Sequence, residues 1–68
     1  MIVSLHVHDD GDIEMTKHDT RRQAESTGDL VFEDDEQALR DELTDYGVPA
    51  DRAKEALEEL ETLGTAVI

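Results

Sequence analysis

Four residues near the amino terminus have the types and spacing to do chemistry: His6 and His8, two apart, and Asp12 and Glu14, two apart. Alternate residues of a strand share a face, so each pair belongs to one side of its segment. The register between the two segments follows from their apolar residues. A two-residue Asp10-Gly11 loop would set Val7 opposite Glu14 and Leu5 opposite Thr16, mixing faces. A three-residue Asp9-Asp10-Gly11 loop sets Val7 opposite Ile13 and Leu5 opposite Met15. The second register is the expected one, and it gives Gly11 the left-handed position that such loops need. It also puts His6 opposite Glu14 and His8 opposite Asp12. Two imidazoles and two carboxylates on one face are a donor set for a divalent metal, with His18 as a third imidazole. The same proximity also makes two cross-strand histidine–carboxylate pairs on a wet sheet face. With nothing in the sequence to fix the imidazoles from behind, the pairs are the expected arrangement, with no metal and no cofactor.

The basic residues form a second group. Lys17, Arg21 and Arg22, with His18, fall within six positions of the polar stretch 17–29, and Arg52 and Lys54 stand in a helical segment near the carboxyl end. Such residues can anchor phosphate or an acidic partner. Three charges without interleaved aromatics more often belong to a solvated loop that offsets nearby carboxylates. No nucleophile motif surrounds Ser4, Ser26 or the threonines, and no glycine-rich phosphate loop is present. Paired carboxylates work as acid and base only in a cleft that separates their pKa values, which a chain of 68 residues can hardly form. The expectation is a protein that is not an enzyme and has no small-molecule substrate.

Leu5-His6-Val7-His8 resembles the opening His-x-His strand of polymerase-and-histidinol-phosphatase-type phosphoesterases, but this chain is too short to supply the other metal ligands of that barrel. The segment Asp10-Gly11-Asp12-Ile13-Glu14 is similar to a calcium loop. Aligning Gly11 with that loop's glycine, however, puts His6 and His8 at the first and third ligand positions and Lys17 at the last. Neither motif is carried further.

The elements that must position these residues read as α+β. Residues 1–16 form a hairpin with Met1, Val3, Leu5 and Val7 on one face and Ile2, Ser4, His6 and His8 on the other. Residues 17–29 show no clear period, and 30–33 read as a short third strand. Asp34-Asp35-Glu36-Gln37, an acidic cap with Gln three residues on, opens a helix over about 35–46 whose apolar face is Leu39, Leu43 and Tyr46 and whose end is Gly47. Pro49 marks the start of a second helix over about 50–63, with Ala53, Ala56, Leu57, Leu60 and Leu63 as its stripe and Gly64 as its stop. Thr65 to Ile68 is apolar enough for an edge strand or a docking tail. The architecture expected is a single domain over 1–68, a small antiparallel sheet on a two-helix hairpin.

Within 39–68, Gly47-Val48 after a helix, Ala53, Ala56-Leu57, Leu60, the closing Gly64 and Val67-Ile68 resemble the second and third helices and wing of winged helix-turn-helix regulators. That resemblance implies DNA binding, with Arg52 and Lys54 as the contact residues. The same helix carries Asp51, Glu55, Glu58 and Glu59, a field that repels phosphate. An interaction module that acts on a protein partner or as a homodimer is therefore the leading expectation, and a DNA-binding regulator the second.

Charge sets the environment. Nineteen Asp and Glu stand against six Lys and Arg, a net charge of −13, spread along the whole chain. The strand and helix periods with matching caps argue against disorder, which such charge would otherwise suggest. In molar salt the Debye length falls to about 3 Å and the carboxylates repel one another little. The composition resembles that of proteins of halophilic archaea that accumulate cytoplasmic salt, and a cytoplasmic protein is expected, since there is no cysteine, no basic leader and no apolar run of membrane length. On dialysis from molar KCl to dilute buffer the chain is predicted to lose its secondary structure. An unchanged circular-dichroism spectrum would refute this.

Overall fold

A computed structural model describes residues 1–68. The apolar alternation of the amino-terminal hairpin becomes β1 (Ile2–Val7) and β2 (Ile13–His18), in the expected register, with Leu5 facing Met15 and Val7 facing Ile13. The turn is closed by the His8 N–H donating to the Asp12 carbonyl at 2.8 Å, and Gly11 takes φ +96°. A short helix, α1 (Arg21–Glu25), precedes β3 (Leu30–Glu33). The helical hairpin of α2 (Glu36–Asp45) and α3 (Ala50–Leu63) follows, and β4 (Thr65–Val67) closes the chain. The antiparallel sheet runs β3-β1-β2-β4.

The sheet has two unlike faces. Val3, Leu5, Ile13, Met15 and Ala66 point to one side and form a single core with Leu39 and Leu43 of α2 and Ala53, Ala56, Leu57 and Leu60 of α3. Val48 from the connection between the helices joins this core, and Met1, Phe32 and Ile68 pack at its margins. The radius of gyration is 10.9 Å, as expected for an uncharged globular chain of this length at about 11 Å. The other face was expected to be wet, yet Ser4 is buried there. It is covered by α1, which packs on β1, β2 and β3 and buries Ala24 outside the main core.

Helix α1 and the extension of β2 to His18 occupy much of the polar connection 17–29, which shows no clear period in sequence. The helix starts at a capping box: the Gln23 N–H donates to Thr20 Oγ1, and Gln23 Oε1 accepts from the Thr20 N–H. That signature is in the sequence, but five residues are too few to show an apolar period. The cap of α2 is Asp35, accepting from the Ala38 N–H, one position later than the Asp34–Gln37 spacing suggested. Pro49 caps α3 from just outside, with extended backbone. Tyr46 and Leu63 do not join the core: they are 42% and 72% exposed, and Leu63, at the last position of α3, lies with Glu55, Glu58, Glu59 and Thr62 on the solvent side.

These burials make a contrast. Leu57→Ala is predicted to cost about 2–5 kcal/mol, most of what a domain this small can hold, and to leave the chain largely unfolded. Leu63→Ala should stay within about 0.5 kcal/mol of the parent. Denaturant titration in molar KCl measures both.

Candidate functional site

The end of the sheet beyond the helices gathers the residues with chemistry. His6 near the end of β1 and His8 just past it lie side by side, rings edge to face with centroids 4.4 Å apart. The backbone register sets His6 opposite Glu14, as expected, but the side chains pair differently. His8 Nε2 lies 3.0 Å from Glu14 Oε2, and His6 Nδ1 lies 2.9 Å from Asp29 Oδ1. Asp12, the expected partner of His8, instead gives its backbone N–H to Asp10 Oδ1 inside the turn. His18, the suggested third imidazole, is hydrogen-bonded to Ser4 Oγ at 2.9 Å. It faces Ile2 in the ladder, four residues along the strand from the His6 position, or roughly 13 Å. No three histidine or carboxylate groups converge on one point.

Asp29 was not singled out from sequence. A turn that closes α1 presents it: Thr27 Oγ1 donates to the Ala24 carbonyl and accepts from the Asp29 N–H, and Gly28 takes φ +77°. Pairing of β3 with β1, Leu30 against Leu5, then brings Asp29 beside His6. Only that long-range pairing reveals the contact, and no local sequence signal does.

Leu5, His6, Val7, Gly28, Asp29 and Leu30 line an open hollow of about 400 Å³. Val7 and Leu30 are 45% and 57% exposed. This end of the apolar face lies outside the cover of the helices. Next to it runs the free edge of β3. Met1 and Asp34 exchange both backbone hydrogen bonds, so alternation along the ladder turns the N–H and C=O groups of Val31 and Glu33 outward.

The basic residues scatter. Lys17 belongs to the helix-covered side of the sheet and Arg21 and Arg22 to α1 on the opposite side, so they form no common patch. Arg21 bonds Glu25 at 2.8 Å and Glu33 at 3.1 Å. The hydrogen bond to Glu25, then the charges of Glu25 and Glu33, hold its guanidinium above its ordinary value. A raised arginine contributes its share of stability below that value and loses it only far above neutral pH, so this pair adds no pH dependence in the working range. Arg52 is also engaged, with Nη2 donating to the Val67 carbonyl at 2.8 Å and Nη1 near Glu55 and Glu59. Lys54 is then the basic residue left exposed on α3, among Asp51, Glu55, Glu58 and Glu59.

Comparison of the chain with protein-family models, curated proteins and solved structures gives no match. The reading of the site rests on its geometry. No helix is long and apolar enough to cross a membrane.

Arg52→Ala is predicted to lower stability by about 1 kcal/mol and to speed exchange of the Ile68 amide, which bonds the Ile13 carbonyl, about fivefold. Amide exchange followed by NMR measures this. An Ile68 rate equal to the parent's would show that the Arg52 contact does not hold β4.

Proposed function

We propose that this protein is a non-catalytic interaction module of a salt-rich cytoplasm that binds an extended segment of a protein partner along the free edge of β3. The observation that carries the reading is the junction of two unsatisfied surfaces. The outward main-chain groups of Val31 and Glu33 lie next to the hollow, whose apolar part is Leu5, Val7 and Leu30 and whose polar rim is His6 and Asp29. An added strand would pair with the first and seat one apolar side chain in the second, the usual division between affinity and specificity in strand addition. The opposite edge is less open, because Arg52 occupies the Val67 carbonyl.

Charge supports the kind of partner. Asp29 precedes β3, and Glu33, Asp34, Asp35 and Glu36 follow it, so a strand with basic residues flanking its apolar anchor is favoured over a second copy of this acidic chain. At molar salt these charges act only at contact range. They then select the partner more than they attract it from a distance.

Two variants test the edge while leaving the main core intact. Leu30→Asp puts a charge at the hollow, and Val31→Pro removes an outward N–H that the internal ladder does not use. The tagged parent and both variants are used to capture partners from native lysate in molar KCl, with and without nuclease. The predicted result is one stoichiometric protein that survives nuclease, is lost from both variants, and has a basic segment that binds the parent as a synthetic peptide. Equal capture by the variants would remove the β3 edge from the reading. Self-association of the parent would make the occupant a second copy, and nuclease-sensitive DNA would favour the regulator reading.

A further inference from the structure

The two hydrogen bonds at the histidines decide which ring nitrogens carry a lone pair. A carboxylate only accepts, so the nitrogen facing it must carry the proton. In the neutral imidazoles, His6 Nδ1–H donates to Asp29 and His8 Nε2–H donates to Glu14. The lone pairs are then on His6 Nε2 and His8 Nδ1, neither of which has a hydrogen-bond partner. The rings are 50% and 41% exposed. Sequence alone shows nothing that would fix the imidazoles from behind. The structure supplies it, one carboxylate per ring, in the carboxylate–histidine arrangement that orients metal-binding imidazoles.

The spacing of the rings agrees with this. A histidine nitrogen binds such a metal at about 2.1 Å, so two rings with centroids 4.4 Å apart are close enough to share one ion. The geometry points to a surface chelate site in which His6 Nε2 and His8 Nδ1 bind one late first-row divalent cation. Water fills the remaining positions, and Asp29 and Glu14 act as positioning residues behind the rings. Imidazole donors select copper, nickel and zinc over magnesium and calcium, with Cu²⁺ held more tightly than Ni²⁺ or Zn²⁺. Because only two protein ligands are present, the cation is exchangeable.

This inference does not depend on the docking reading and is tested on the isolated protein. Titration of the folded chain with CuCl₂, NiCl₂ or ZnCl₂ in molar KCl, which screens diffuse binding to surface carboxylates, should show one site per chain that excess MgCl₂ does not displace. Long-range ¹H–¹⁵N spectra of the rings during the zinc titration should shift His6 Nε2 and His8 Nδ1 and leave His18 unchanged. His6→Ala and His8→Ala should each remove the site, Asp29→Asn and Glu14→Gln should each weaken it about 10–100-fold, and His18→Gln should leave the affinity as it was. Circular dichroism of each variant in the same buffer separates loss of the site from loss of the fold. If either His6→Ala or His8→Ala binds as tightly as the parent while folded, or the assigned nitrogens do not shift, the proposal is overturned.

Discussion

Everything in this molecule depends on the contact between one face of a hairpin and one stripe of a helix. Val3, Leu5, Ile13 and Met15 on the sheet press against Ala53, Ala56, Leu57 and Leu60 of α3, and the two leucines of α2 close the layer from the side. The small residues matter as much as the large ones. Alanines at 53 and 56 let the helix sit close to the strands, so even a thin core leaves its central side chains almost without exposure. This one layer must hold a chain of net charge −13 in a compact shape, against the self-repulsion of its carboxylates.

The parts of the fold set by local chemistry were legible in the sequence. The register of the first hairpin followed from matching Leu5 with Met15 and Val7 with Ile13 around a glycine bulge, and the two long helices from their apolar stripes and glycine stops. What escaped was either too short to repeat or too distant to pair. Helix α1 has one buried residue, Ala24, and a five-residue segment cannot display a period. Tyr46 and Leu63 continue their stripes in sequence, yet both are exposed at the ends of their helices. The metal-type residues were half legible. His6, His8 and Glu14 were placed on one face correctly, but Asp29 reaches His6 only through the β1–β3 pairing, and Asp12 is drawn into the turn.

The two ends of the sheet differ in consequence. Toward His18 the far face is roofed by α1, which buries Ser4 and fixes that imidazole on its hydroxyl. Toward the Asp9-Asp10-Gly11 turn the roof stops, and the imidazoles of His6 and His8, the hollow and the start of the β3 edge all open to solvent together. No buried side-chain nitrogen or oxygen is left without a hydrogen-bond partner, so the groups open at this end face solvent.

The guanidinium of Arg52 has a role beyond holding a terminal strand. A four-stranded sheet with two free edges could in principle grow without limit, the β3 edge of one copy adding to the β4 edge of the next, since such a head-to-tail contact has no symmetry to close it. By taking the carbonyl of Val67, Arg52 removes from the β4 edge an acceptor that an incoming strand would need. One arginine on a helix thus caps part of one edge, and the β3 edge is left as the more open of the two.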